Sequence, residues 1–422
     1  MRPLITEYFG KYKCNDVQSY VDLGGYSGLK KVIQKGVDWA LEELKAADIR
    51  GRGGAEYPAW RKWSMAKGRQ GEKLILCNAD EGEPGSFKDR DILLHDPMKI
   101  IEGMTIAAYC TGAKNGYIYI REEYAHIRER FIDACESAKS QGYLGNQILG
   151  QDFDFDIHVN IGAGAYICGE NTALIESMHG MAGRPRLKPP RVGEKGLFGL
   201  PTLVNNVETF VCATTVFIHG KGVYCQSGTE KSKGNKVISL SGKIKHAGTY
   251  EIPFGMTINE ILNDLGGGSK NGLKLSFVQS GGASGPLIPA SEFDMPFTYE
   301  DFKDRGFVIG AGSMVVVDES MDLIDYLIAV EGFFHHESCG KCTPCREGMV
   351  HIVKILDKIN NQTATLKDLD KLKRVMKVMV EASFCGLGTT APTALYSAFK
   401  YFEEDLCKNI IGWEAKNDSS NH

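Results

Sequence analysis

Cys339, Cys342 and Cys345 stand at C-x2-C-x2-C spacing within Glu337-Ser338-Cys339-Gly340-Lys341-Cys342-Thr343-Pro344-Cys345-Arg346, and Cys385 follows in Ser383-Phe384-Cys385-Gly386-Leu387-Gly388. Three thiolates so close can each hold one iron of a cubane, and a remote fourth closes it. Small residues between the cysteines let backbone amides approach the sulfurs, and such bonds help set a cluster's potential. Lys341 and Arg346 would offset the negative charge of a cluster. Four thiolates also suit a tetrahedral zinc site, although zinc sites usually pair two C-x2-C knuckles and here three cysteines share one loop. The spacing favours a [4Fe–4S] cluster, with zinc as the competitor. His335 and His336, just upstream, read as packing or solvated residues rather than ligands.

Two further stretches could bind a ligand. Gly51-Arg52-Gly53-Gly54-Ala55 is a glycine loop whose amides could cradle an anion. As a dinucleotide fingerprint it is incomplete, because the third glycine of G-x-G-x-x-G falls on Glu56, and a plain turn fits as well. Asn78-Ala79-Asp80-Glu81-Gly82-Glu83-Pro84-Gly85 sets three carboxylates and an amide after an apolar run. Such a set can hydrogen-bond a sugar-like chain, a carboxamide or a metal, or be a solvated acidic turn.

These residues need elements to hold them. Leu74-Ile75-Leu76-Cys77 and Tyr117-Ile118-Tyr119-Ile120 read as strands, and Phe153 to Ile161 alternates like a half-buried one. The last runs through Gly162-Ala163-Gly164-Ala165 into a helix starting near Glu170; Glu122 to Lys139 predicts another helix, with Ile127, Phe131 and Ala134 on one face, and Gly28 to Lys45 a third. Strand, glycine turn and helix place ligands at strand ends. The polar stretch Ser227 to Asn235 reads as a linker. Beyond it, Val237–Leu240 and Thr249–Ile252 predict a hairpin, Thr257-Ile258-Asn259-Glu260 a capping box ended by Gly266-Gly267-Gly268, and the segments near 276–278 and 314–317 two more strands. From Asp322 the pattern is helical, with a stripe of Val350, Val353, Ile355, Leu356 and Ile359, a second of Leu366, Leu369, Leu372, Val375, Met376 and Met379, and a third helix from Thr390 to Leu406. Four regions follow: an N-terminal extension (1–50), an α/β domain (51–226), a small α+β unit (235–320) and a helical domain (322–422).

A net charge of -4 gives no general pull toward nucleic acid. No apolar run is long enough to span a bilayer, and Met1 to Glu7 lacks a signal-peptide pattern, so the expected location is the cytoplasm. Eight of the 12 cysteines are scattered and read as buried thiols.

Taken together, Gly51–Trp63, Leu76–Arg90, Gly162–Leu174, Pro201–Thr209, Glu337–Gly348 and Phe384–Gly388 resemble, in order, the motifs of the NADH-binding 51-kDa flavoprotein subunit of NADH:quinone oxidoreductase, complex I, whose family also serves soluble hydrogenases and formate dehydrogenases. The resemblance covers nearly the whole chain. It implies a multidomain α/β protein: a Rossmann-like domain for FMN and NAD(H), a ubiquitin-like β-grasp (SLBB) insert, and a C-terminal helical bundle with a [4Fe–4S] cluster on Cys339, Cys342, Cys345 and Cys385. It further implies that Gly51, Gly53 and Gly54 hold the FMN phosphate region, and that Lys62, Asn78, Asp80, Glu81, Asn205 and Asn206 surround the flavin. Glu83 would face the nicotinamide, with Tyr166, Gly169 and Glu170 in the same cavity, so that Glu83 and Glu170 stand nearest the chemistry; Tyr57 replaces an aromatic near the adenine. A flavin takes two electrons as hydride and releases them singly to a cluster, which explains the shared chain.

Three positions depart from the family pattern. Glu56 stands where glycine is usual, Met65 where phenylalanine is usual, and Asn171 where a second acid lies near the adenosine ribose. Neutral Asn171 removes a repulsion toward a 2′-phosphate, which opens the choice between NADH and NADPH, while Glu56 could restore that repulsion or displace the nucleotide. Glu56 and Met65 also keep open a scaffold with a decayed flavin site. The implied partners are a thioredoxin-like [2Fe–2S] subunit and a larger iron–sulfur subunit, in a respiratory complex or in a soluble, electron-bifurcating enzyme; the first would bring the chain to the inner membrane through its partners.

Overall fold

In the computed structural model, which describes residues 3–415, four parallel strands form the sheet that carries the acidic loop. Met1, Arg2 and residues 416–422, the ends of the outermost two expected regions, lie outside the described residues. The strands are β1 (Leu74–Ala79), β2 (Asn115–Ile120), β3 (Asp156–Ile161) and β4 (Thr202–Asn206), in the order β3-β2-β1-β4. β1 is central, pairing Asn78 with Tyr119 on one side and with Asn206 on the other. Its side chains alternate between two cores. Ile75, Cys77 and Ala79 pack with the helices Pro97–Thr111 and Val207–His219 and with N-terminal residues such as Leu29 and Leu44. Leu74 and Leu76 pack with Leu174, Ile175 and the C-terminal helices. Burial on both faces is why β1 reads as an unbroken apolar run.

The expected helix over 28–45 is two helices, Ser27–Lys35 and Val37–Ala46, because Gly36 turns the chain at φ +86°. The stretch 227–235 is a packed turn rather than an open linker: Gly234 N–H donates to the Ser227 carbonyl (2.8 Å), and buried Ser232 donates to Glu300 (2.6 Å).

The second sheet comprises β5 (Asn235–Gly242), β6 (Gly248–Pro253), β7 (Leu275–Ser280), β8 (Leu287–Pro289) and β9 (Ser313–Asp318), in the order β6-β5-β9-β7-β8. β5 and β9 run parallel at its centre, flanked by the antiparallel pairs β5–β6 and β7–β8. The expected hairpin and capping box are present, with Glu260 N–H on Thr257 Oγ1 (3.1 Å) and Thr257 N–H on Glu260 Oε2 (2.7 Å). Ile238, Leu240, Val278 and Met314 give this unit its own core.

The C-terminal region stacks the helices Leu323–Glu337, Thr343–Asn360 and Leu366–Ala382. Asp322 caps the first by accepting from Ile324 N–H (2.7 Å) and Asp325 N–H (3.1 Å). The buried stripe of the second runs through Met349, Ile352, Ile355, Leu356 and Ile359; Val350 and Val353 lie beside it, half-buried. In the third helix Leu366 is exposed, since it opens the helix above the packed surface, and Val375 is half-buried. The expected span from Thr390 to Leu406 is divided into Thr393–Tyr401 and Glu403–Cys407. No helix among the described residues is long and apolar enough to cross a membrane.

Candidate functional site

The glycine loop is closed by the Gly51 N–H on the Tyr57 carbonyl (2.9 Å). Arg52 runs inward from it, its N–H on Thr209 Oγ1 (2.9 Å) and its guanidinium on the hydroxyls of Tyr224 (2.9 Å) and Tyr299 (3.1 Å). Gly53 lies against the end of β4: a Cβ there would stand 3.1 Å from Asn206 Cβ, so a side chain would crowd this approach. Gly54 has φ +115°, and Glu56 adopts φ +53°, a left-handed conformation that glycine takes without penalty.

Asn78 pins the neighbouring segment to the end of β1. Its amide donates to the Gly169 carbonyl (2.9 Å) and to Asn171 Oδ1 (3.3 Å), and its oxygen accepts from Asp80 N–H (3.1 Å). Asp80 Oδ2 is buried without a hydrogen-bond partner, and burial pushes its pKa up to about 7 despite nearby Arg121. Glu83 accepts from the Tyr166 hydroxyl (2.6 Å) and from Ser284 N–H (2.8 Å) in the second unit, while burial raises its pKa. Glu170 caps the helix Asn171–Met178, accepting from Thr172 N–H (2.9 Å) and Ala173 N–H (3.0 Å), and pairs with Lys188 (2.7 Å). Burial opposes its charge, but Lys188 and these donors outweigh it and hold the pKa below the ordinary range.

Glu81 is held by hydrogen bonds within the fold. It accepts from Ser86 Oγ (2.7 Å), Asp89 N–H (3.1 Å), Arg90 N–H (3.0 Å) and the Tyr124 hydroxyl (3.1 Å). Its carboxylate is thus taken up by the start of the helix Lys88–His95.

Lys62 donates to the Val204 carbonyl (3.1 Å), and burial lowers its pKa. Asn205 is buried, oriented so that its oxygen accepts from Trp63 Nε1 (2.8 Å) and its nitrogen reaches the Val204 carbonyl (3.0 Å). Asn206 caps the helix Val207–His219 through Glu208 N–H (3.0 Å) and donates to Asp89 (2.5 Å). Tyr57, Lys62 and Asn171 line one cleft with Met65, Arg191 and Val204.

Beneath the loop lies a charge cluster that sequence reasoning missed. Glu208 pairs with Lys236 (2.6 Å) and Lys88 (3.0 Å), Lys88 pairs with Asp89 (2.6 Å), and these side chains are almost wholly buried. Burial raises the pKa of Glu208, but Lys236, Lys88 and Arg52 outweigh it and hold it at about 2; burial brings Lys236 down to about 8 against the pull of Glu208. The available signal was Glu208 itself, the single charged residue before His219 in the apolar helix Val207–His219.

The four cysteines line one small cavity with Ile167 and Pro185. Cys342 and Cys345 open the helix Thr343–Asn360, and Cys385 caps the short helix Gly386–Thr390. Phe384 N–H points at Cys342 Sγ (3.5 Å), Ser338 Oγ lies 3.2 Å from Cys345 Sγ, and the Leu387 and Gly388 amides face Cys385. Lys341 donates to the Pro185 carbonyl and Arg346 to the Gly340 carbonyl (2.8 Å), so both pin loops around the thiols. Among the described residues no group of three or more His, Cys, Asp or Glu is disposed to hold a single ion. Four thiols with amide donors suit a cubane, which takes one thiolate per iron.

One short turn, Tyr166–Gly169, joins the two sites. The Tyr166 hydroxyl rests on Glu83, its N–H donates to Glu337 Oε2 (3.0 Å) just before the first cysteine, and Ile167 walls the thiol cavity.

The family model described as the Nuo51 FMN-binding domain matches residues 44–215, and that of the NADH-ubiquinone oxidoreductase-F iron-sulfur binding region matches residues 325–409. Over 93% of its length the chain is 40% identical to an F-type subunit of the NADH-quinone oxidoreductase of Rhizobium meliloti, covering 94% of that protein. It is also 40% identical to the NADP-reducing hydrogenase subunit HndC of Solidesulfovibrio fructosivorans, over 95% of this chain and 82% of that one. A crystal structure of an NAD+-reducing [NiFe]-hydrogenase in the H2-reduced state superposes with a TM-score of 0.82 at 34% identity, over 90% of this chain but only 63% of that chain.

Proposed function

Since the chain belongs to the family of the NADH-binding 51-kDa flavoprotein of NADH-quinone oxidoreductase, we propose that it oxidises NADH and passes the electrons to iron–sulfur partner subunits. FMN, when bound, supplies the step from a two-electron hydride to single electrons, and a [4Fe–4S] cluster carries those electrons onward. The observation that carries this reading is the turn Tyr166–Gly169, which touches Glu83 on one side and walls the thiol cavity on the other.

In this reading Gly51, Gly53 and Gly54 offer amides to the flavin phosphate, and Lys62, Asn78, Asp80, Glu81, Asn205 and Asn206 border the flavin. The fit rests on the bare backbone beside Asn206 and on the orphaned Asp80 Oδ2. Glu83, fixed by Tyr166 and Ser284, and Glu170, fixed by Lys188, border the nicotinamide, with Tyr166 and Gly169 beside them. These side chains orient the dinucleotide and exclude water rather than take a proton from it. Cys339, Cys342, Cys345 and Cys385 ligate the cluster.

The strand order β6-β5-β9-β7-β8, with its parallel central pair, supports reading residues 235–320 as the ubiquitin-like β-grasp insert between a flavin domain (51–226) and a cluster domain (322–422). The partners are a thioredoxin-like [2Fe–2S] subunit and a larger iron–sulfur subunit, which would hold the chain at the inner membrane in a respiratory complex or in solution in a hydrogenase or formate dehydrogenase assembly. Anaerobic titration with NADH tests the reading. Flavin absorbance should bleach and a cluster EPR signal should follow; Cys385→Ser should keep the bleaching and lose the signal. A colourless protein containing zinc would refute it.

A further inference from the structure

The cleft beside the glycine loop holds a guanidinium, that of Arg191, with no ion-pair partner among the described residues. Its walls are Tyr57, Met65 and Val204, and its polar groups include Lys62, Asn171 and Arg191. Tyr57 and Met65 are exposed and touch, hydroxyl to sulfur, at 4.0 Å, forming a platform for a planar base.

Half-buried Glu56, next to Tyr57, faces the charges of Arg50, Arg52 and Lys303, and the two carboxylates beside Asn171 and Arg191 are already engaged. Glu170 is bound by Lys188 and by the helix start it caps. Glu194 on the rim accepts from Arg69 (3.1 Å) and from the backbone N–H of Arg191 (3.0 Å). The Arg191 guanidinium therefore makes no ion pair or hydrogen bond among the described residues, although it feels the Glu194 charge. Lys62 is held by the Val204 carbonyl, and Asn171 puts a neutral amide where a carboxylate would repel an anion. A guanidinium with free donors beside a base platform and a neutral amide matches a phosphorylated adenosine.

We propose that Arg191 reads the 2′-phosphate of NADPH in this cleft, so that the chain accepts NADPH as hydride donor. The inference rests on the flavin reading above for the reaction, but not for the binding. With either nucleotide the hydride carries its electron pair from the nicotinamide to bound flavin and leaves the oxidised nucleotide, so the 2′-phosphate alters recognition alone.

Calorimetric titration of the purified protein with adenosine 2′,5′-bisphosphate and with 5′-AMP tests the binding. The bisphosphate should bind about tenfold more tightly, the scale of charge-assisted hydrogen bonds to one phosphate. Arg191→Ala should erase that difference, and Asn171→Glu should reverse its sign. Equal affinities in the unsubstituted protein overturn the proposal. So does an Arg191→Ala variant that weakens both ligands equally, which would make the guanidinium a partner of the base. Anaerobic flavin-loaded protein mixed separately with NADH and NADPH tests the consequence. Bleaching by NADPH supports the proposal, and bleaching by NADH alone overturns it. Bleaching by neither overturns the flavin reading, and calorimetry still decides the role of Arg191.

Discussion

Replacing Glu208 by Gln leaves the shape of its side chain but removes the negative charge between Lys88 and Lys236. All three are buried, with Glu208 2.6 Å from Lys236 and 3.0 Å from Lys88. Glu208 is held at about 2 against an ordinary carboxyl value of 4.5. At about 1.4 kcal/mol per tenfold change in proton affinity, the cluster stabilises its charged form by roughly 3 kcal/mol. That agrees with the ~3–5 kcal/mol lost when one member of a buried ion pair is removed. The depressed pKa fixes the sign: this stability is complete above about pH 4.5 and fades as the pH falls toward 2. Thermal unfolding at pH 7 should show Glu208→Gln melting several degrees lower, with the gap closing in acid. Lys236→Met should also destabilise, but the double variant should lose about 1–3 kcal/mol less than the two single losses together, because it strands no charge and leaves Lys88 paired with Asp89. Strictly additive losses, or a Glu208→Gln melting point unchanged at pH 7, would refute the reasoning.

Glu56→Gly relieves a left-handed residue at φ +53° and should raise stability by about 1 kcal/mol in denaturant melts. Burial raises the pKa of Glu56, so part of that gain should appear only as the pH rises through its titration. Gly282→Ala places a Cβ only 1.9 Å from Glu83 Cγ at φ +90°. It should cost about 1–3 kcal/mol and slow flavin reduction in stopped-flow, whereas Gly193→Ala, with nothing within 4 Å, should leave stability unchanged. Asp80 has its pKa raised to about 7, so the folded protein holds a proton there that the unfolded chain has released. Relative to Asp80→Asn, flavin-free protein should lose stability as the pH climbs from about 4 to 7 and then level off, measured as the difference in melting temperature.

Much of the site was legible because its chemistry lies in contiguous segments. The cysteine loop, the amide and acids after β1, and the capping box each declare themselves through residue types at short spacing. Other parts were hidden for physical reasons. The helix Pro97–Thr111 is buried almost all round, so it carries no amphipathic stripe to detect. Strand β4, Thr202–Asn206, is short and merges into the apolar helix that follows, leaving no change of period to mark it. The bonds from Glu81 to the start of the helix Lys88–His95 were hidden, because that helix start is brought to it only by the folded loop. The cluster of Lys88, Glu208 and Lys236 joins residues far apart in sequence. Arg191 stood outside every motif, and only the folded cleft brings it beside Tyr57 and Asn171.

Lys236 belongs to β5, in the second unit, yet its ammonium neutralises a carboxylate of the first. Excising residues 235–320 and splicing the ends would leave Glu208 with a single lysine to share with Asp89. The N-terminal strap would also come loose, since Glu251 on β6 receives the Leu4, Ile5 and Thr6 amides at 2.8, 3.0 and 2.8 Å. A chimera that borrows this insert from a distant relative must therefore import both a lysine at 236 and a glutamate at 251, whatever surface the graft was chosen to display.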